Sequence, residues 1–132
     1  MNYEGLILDK EAGVARLTQN RPEQLNAISI PMAYSLKKAL EDIDKDNSLK
    51  VLIITGAGRG FCAGLDVPTF SPVSQMTPQE LSDFMHSLSL PLYYLSKPVI
   101  AAINGVAVGL DLSIAMLADI RVASRGKVSS SN

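Results

Sequence analysis

The order of elements legible in the sequence predicts an α/β fold. Three observations carry that expectation: two short segments separated by turn formers near the N-terminus, two β-branched runs without polar alternation, and segments of helical period between those runs. Residues 5–9 and 14–19 flank Lys10-Glu-Ala-Gly13, whose turn formers predict a β-hairpin. After Asn20-Arg-Pro22 the period changes. Ser29 can cap a helix with Pro31 in its first turn, and Met32, Leu36, Ala39, Leu40 and Ile43 recur every three or four positions. Lys37, Lys38, Glu41 and Asp44 fall on the opposite face.

Residues 51–55 form a continuous apolar run of strand length, which predicts a central strand buried on both faces. Residues 56–75 are rich in glycine, contain Pro68 and Pro72 and lack a helical period, so a long loop is expected. Thr77-Pro-Gln-Glu80 is a capping box: the Thr77 hydroxyl can accept an early backbone N–H while Glu80 reaches back. Leu81, Phe84, Met85, Leu88 and Leu92 make the buried stripe of the helix that follows, and Pro91 should kink it or split off its last turn. Residues 98–103 predict another buried strand, 105–109 a tight connection, 110–117 an almost wholly apolar helix and 120–123 a further strand.

A chain of 132 residues fits one domain with a real core, and its 47% hydrophobic and 19% charged residues are ordinary for a globular protein. The net charge is −1 and Lys and Arg are scattered rather than blocked, so neither a nucleic acid nor an anionic membrane is the expected partner. Cys62, the only cysteine, cannot form an internal disulfide and has no partners at metal-ligand spacing, so no metal is expected. The acidic N-terminus lacks the pattern of a secretory or transit signal, which predicts a cytoplasmic protein. The longest apolar stretch is broken by Asn104 and Asp111 and does not read as a membrane span.

Two chemistries could use the glycine-rich loop after residue 55. Thr55-Gly-Ala-Gly-Arg-Gly60 is similar to the cofactor loop of short-chain dehydrogenases, and Tyr93 and Lys97 have that family's tyrosine–lysine spacing. Pyrophosphate binding needs a helix to start directly after the glycines, yet Phe61-Cys-Ala-Gly-Leu-Asp-Val-Pro68 is a poor first turn. The alternative pairs this loop with the turn at Asn104-Gly-Val-Ala-Val-Gly109. Backbone N–H groups from both could converge on one carbonyl oxygen as an oxyanion hole, each contributing about 3 kcal/mol of transition-state stabilisation.

On the residues Arg21-Pro-Glu-Gln-Leu-Asn-Ala27, Val51-Leu-Ile-Ile-Thr-Gly56, Gly60-Phe-Cys-Ala-Gly-Leu-Asp66, Lys97-Pro-Val-Ile-Ala-Ala-Ile-Asn-Gly105 and Ala118-Asp-Ile-Arg-Val-Ala123, in that order, the sequence resembles the enoyl-CoA hydratase/isomerase (crotonase) family. The resemblance implies a crotonase-like spiral of ββα units, the Clp protease/crotonase fold, with residues 1–132 as the N-terminal portion of a single domain that is incomplete at its C-terminal end. It implies an enzyme of acyl-CoA thioesters that stabilises an enolate, with coenzyme A carried on the substrate and no other cofactor. By position, the oxyanion donors would be the backbone N–H groups of Leu65 and Leu110, and Leu25, Ala27, Ala63, Asp66 and Val67 would line the coenzyme A path. A homotrimer or a dimer of trimers is implied for the full-length protein.

The first of the two carboxylates that hydratases of this family use falls at Ser113, and the second would lie beyond Asn132. Serine is no base without a partner, so isomerase-type chemistry, which can work with one carboxylate, is favoured over two-glutamate hydration. A non-catalytic acyl-CoA binder or scaffold of the same fold is the alternative. Asp111 is the remaining local carboxylate, more readily explained as a helix N-terminal residue than as a catalytic one. Asp119 is expected to make structural hydrogen bonds at a strand start, His86 to be solvated, and Cys62 to be a small buried residue.

Overall fold

The computed structural model describes residues 3–62, 77–107 and 119–123. A hairpin opens the fold, with β1 (Leu6–Glu11) antiparallel to β2 (Val14–Gln19) and Leu8 opposite Leu17. The first strand runs further than the sequence predicts. Ala12 and Gly13, with φ of 51° and 81°, make the turn by themselves. Left-handed backbone at both central residues matches the twist of a hairpin, so the turn needs no more chain.

A single 3-10 turn (Pro22–Gln24) leads to α1 (Ile30–Lys45), where the Ser29 hydroxyl accepts from the Met32 N–H at 3.2 Å. Met32, Ala33, Leu36, Ala39, Leu40 and Ile43 are buried, as the period predicts. They share one core with Ala15 and Leu17 of β2, Leu52 and Ile54 of β3 (Val51–Gly56), and Val99, Ala101 and Ile103 of β5 (Val99–Ile103). Burial alternates along β3: Leu52 and Ile54 are enclosed, whereas Val51 and Ile53 are half-buried. The unbroken apolar run therefore does not make both faces equally dry.

The main sheet has the order β1-β2-β3-β5-β7, with β7 at Ile120–Ala123. From β2 onward every pairing is parallel. Parallel neighbours need a crossover, and α1 and α2 (Pro78–Tyr93) fall in the intervals β2 to β3 and β3 to β5 that require one. The capping box at α2 takes a variant form. Thr77 Oγ1 accepts from the Glu80 N–H at 3.1 Å, and the Glu80 carboxylate meets the Thr77 hydroxyl at 3.2 Å, where the sequence predicts it on the Thr77 backbone. The helix is not split at Pro91; it continues to Tyr93, where Pro91 sits too close to the end to interrupt many bonds. Of the predicted stripe, Leu92 is buried, and the side chains of Leu81, Phe84, Met85 and Leu88 lie outside the described ones.

Two segments expected to be irregular contain strands. β4 (Gly60–Cys62) and β6 (Val106–Ala107) form a separate two-stranded parallel sheet. Both are too short, and too rich in glycine around them, to announce themselves by period. The predicted helix over residues 110–117 lies outside the described residues, whereas β7 is where the sequence places it. The expected role of Asp119 also holds: its carboxylate accepts from the Val99 N–H at 2.8 Å and its own N–H donates to the Val99 carbonyl at 2.9 Å.

Candidate active site

The glycine loop after β3 is held by side chains from two directions. Asn26 approaches from the turn before α1. Leu25 and Asn26 have φ of 51° and 61°, a left-handed pair that asparagine tolerates well and that throws the Asn26 side chain inward, where it is fully buried. Its Oδ1 accepts from the Arg21 N–H at 2.7 Å, and its Nδ2 donates to the carbonyls of Ala57 at 2.9 Å and Gly60 at 2.6 Å. Asn104, directly after β5, approaches from the other side. Its Oδ1 accepts from the Gly56 N–H at 3.2 Å, and its Nδ2 donates to the carbonyls of Gly58 at 3.0 Å and Gly60 at 3.2 Å.

Gln19 completes the frame. It follows Ala15 and Leu17 on the core-facing side of β2, its carbonyl accepts from the Ala57 N–H at 2.8 Å, and its buried Nε2 donates to the Phe61 carbonyl at 3.1 Å. These bonds bear on the dinucleotide reading. Gly56 and Ala57 N–H groups, which would have to face a pyrophosphate, are turned inward onto Asn104 and Gln19. The chain then enters β4, so among the described residues no helix starts directly after these glycines, as pyrophosphate binding requires. The tyrosine–lysine spacing has a structural use as well. Lys97 Nζ donates to the carbonyls of Ile43 at 2.7 Å and Asp44 at 2.8 Å, closing the C-terminal end of α1, while the Tyr93 ring is exposed and packs edge-on against Tyr94.

Beyond this frame, β4 and β6 run side by side in parallel, Gly60 opposite Val106 and Cys62 opposite Ala107. The segments that follow them therefore leave from the same end of one small sheet. Leu65 lies three residues after Cys62, and Leu110 three residues after Ala107. The two arms approach closely at their roots, where a Cβ on Gly105 would overlap the Arg59 carbonyl oxygen. Of the residues expected to line the coenzyme A path, Leu25 and Ala27 flank Asn26. Leu25 lies against Gly60, whose added Cβ would stand 3.0 Å from the Leu25 carbonyl, and the Ala27 carbonyl accepts from Arg21 Nη1 at 2.6 Å. Ala63, Leu65, Asp66, Val67, Leu110, Asp111 and Ser113 lie outside the described residues. His86 is exposed on α2, and Cys62 is in β4.

Sequence reasoning assigned no role to Asn26, Asn104 or Gln19. A signal existed for two of them: Asn26 interrupts the pair Leu25 and Ala27, and Gln19 is a polar residue at a core position of a strand. Asn104 carried none beyond its place after an apolar run.

Among the described residues no helix is long and apolar enough to cross a membrane. Residues 9–130 match the family model described as enoyl-CoA hydratase/isomerase. A Mycobacterium leprae protein named probable enoyl-CoA hydratase is 42% identical over 118 residues, which cover 84% of this chain and 40% of that protein. The 1,2-epoxyphenylacetyl-CoA isomerase of Escherichia coli is 39% identical over 128 residues, covering 92% of this chain and 48% of the isomerase. A crystal structure of an enoyl-CoA hydratase from Mycobacterium avium subsp. paratuberculosis superposes with a TM-score of 0.82 at 33% identity, over 97% of this chain and 50% of that one. The chain thus spans about half the length of the relatives it matches, or somewhat less. With the ordered motifs, the crossover sheet and the paired β4–β6 arms all present, the chain belongs to the enoyl-CoA hydratase/isomerase family.

Proposed function

We propose that the full-length protein binds acyl-CoA thioesters and stabilises a thioester enolate between the backbone N–H groups of Leu65 and Leu110. The observation that carries this reading is the parallel β4–β6 pair, with each proposed donor three residues beyond the paired Cys62 and Ala107. Both segments leave the same end of this parallel pair, whose register shifts between Gly60 and Cys62, and two donors on one oxygen require such a common exit. The donors are main-chain groups, so leucine at these positions is compatible with the role. Leu25, Ala27, Ala63, Asp66 and Val67 would follow the coenzyme A moiety, and Leu25 stands beside Gly60 at the start of β4.

Double-bond isomerisation is the favoured chemistry. A base removes a proton α to the thioester carbonyl, the oxyanion donors hold the enolate, and the same proton-carrying group returns it at the γ carbon. Ser113 stands where a hydratase would place its first carboxylate, which supports one-carboxylate chemistry, and Asp111 is a less favoured candidate for the base. The relative named 1,2-epoxyphenylacetyl-CoA isomerase agrees with an isomerase in this family, and the relative named as a hydratase keeps hydration in contention. Ser113 also supports a second reading, a non-catalytic acyl-CoA binder of the same fold. A cytoplasmic homotrimer, or a dimer of trimers, completes the proposal.

Assays of the full-length protein with 3-enoyl-CoA and 2-enoyl-CoA separate the readings. Turnover of the 3-enoyl substrate with little hydration of the 2-enoyl one is expected. Acyl-CoA binding without turnover of either establishes the binder, and absence of both binding and turnover refutes the thioester reading altogether.

A further inference from the structure

The frame around the glycine loop does more than satisfy backbone groups. We propose that Asn26 and Asn104 are positioning residues for the thioester chemistry: their carboxamides clamp the Gly60 carbonyl from two sides and so set the spacing of β4 and β6. The proposal rests on the functional reading above, because the spacing matters only if both arms serve one oxygen.

The clamp is visible at a single atom. Gly60 O accepts from Asn26 Nδ2 at 2.6 Å and from Asn104 Nδ2 at 3.2 Å, so both of its lone pairs meet amide donors from separate parts of the chain. Neither amide can turn over to offer its oxygen instead. Asn26 Oδ1 is committed to the Arg21 N–H, and Asn104 Oδ1 to the Gly56 N–H. Position adds to the case. Gly60 is the first residue of β4, and Asn104 stands two residues before the first residue of β6. The Asn104 side chain thus ties the root of one arm to the root of the other, beside Gly105, where only a residue without Cβ allows the close approach to Arg59. Asn104 Nδ2 also donates to the carbonyl of exposed Gly58 at 3.0 Å, but Gly60 is buried and alone receives both amides.

The test uses the full-length protein with acetoacetyl-CoA, a β-ketoacyl thioester whose enolate absorbs in the near ultraviolet, alongside turnover of 3-enoyl-CoA. Asn26→Ala and Asn104→Ala should each lower kcat by roughly 10- to 100-fold through misplacement of the donors, with KM changed by less than about threefold. The apparent pKa of bound acetoacetyl-CoA should rise in both variants. The double variant should lose little more than the worse single one, because both act on one carbonyl. Asn104→Asp, which keeps the acceptor for Gly56 but loses the donors, should behave like Asn104→Ala; it carries the test if Asn26→Ala does not fold. A lowered Tm with kcat per folded molecule and the probe's pKa unchanged would overturn the clamp while leaving the functional reading intact. A wild-type protein that neither binds the probe nor turns over substrate refutes both.

Discussion

Replacing Gly105 by alanine probes the close approach of the two arms at Arg59. A Cβ there overlaps the Arg59 carbonyl oxygen and stands 2.8 Å from the Arg59 carbonyl carbon and 3.1 Å from Gly60 Cα. These are backbone atoms, so no side chain can swing away, and the Arg59–Gly60 peptide must shift. Overpacking of this kind costs about 1–3 kcal/mol. The shift also pulls the Gly60 carbonyl from its two amide donors, each net hydrogen bond contributing about 0.5–1.5 kcal/mol. A destabilisation of about 2–6 kcal/mol follows if both effects act in full. Gly13→Ala is the control: its φ of 81° is costly for a side chain, but its nearest neighbour is the flexible Lys50 side chain at 3.4 Å. That variant should lose only about 1–2 kcal/mol. Urea denaturation of both full-length variants, with acyl-CoA binding measured on the folded fraction, makes the comparison. Equal and small losses, with binding intact in Gly105→Ala, would refute the close approach of the arms.

Other expectations follow from the packing. Leu40→Ala, in the buried stripe of α1, should cost about 2–5 kcal/mol in the same denaturation assay, and Ser29→Ala, which removes the α1 cap, about 1 kcal/mol. Tyr3 donates to Asp42 at 2.6 Å, and its phenol is pushed up to about 12, first by burial and then by that bond. A raised folded pKa gives stability that is fully present below the unfolded value of 10.0 and is lost as pH rises through about 12. The same bond, ahead of Lys38, holds the Asp42 carboxyl below its usual value, so its contribution disappears as pH falls through that lowered value. Stability-against-pH curves of Tyr3→Phe and wild type should therefore differ at neutral pH and converge at both extremes; parallel curves would contradict this. A polypeptide of these 132 residues alone should self-associate through the edge strand β7, where Ile120 and Val122 are 55% and 58% exposed, and sizing chromatography that shows only monomer would count against it.

Elements with a strong period were legible in advance: α1 with its Ser29 cap, the hairpin, and the apolar runs at β3 and β5. The small β4–β6 sheet was not. A strand of two or three residues has no period, and its identity comes from pairing with a segment far along the chain. The shared target of Asn26 and Asn104 was illegible for a related reason. An asparagine in a loop has the same appearance whether solvated or buried, and the carbonyl that both find belongs to a residue more than thirty positions from either. What pointed to the site was the joint order of five weak motifs, and the structure adds the physical link between two of them.

The central claim is that β4 and β6 deliver two backbone donors to one thioester oxygen. A crystal structure of the full-length protein with a bound, unreactive acyl-CoA thioester tests it most directly. The thioester oxygen should lie about 2.7–3.1 Å from both the Leu65 and the Leu110 nitrogens. An oxygen that meets only one of them, or a thioester bound away from the ends of β4 and β6, would contradict the account.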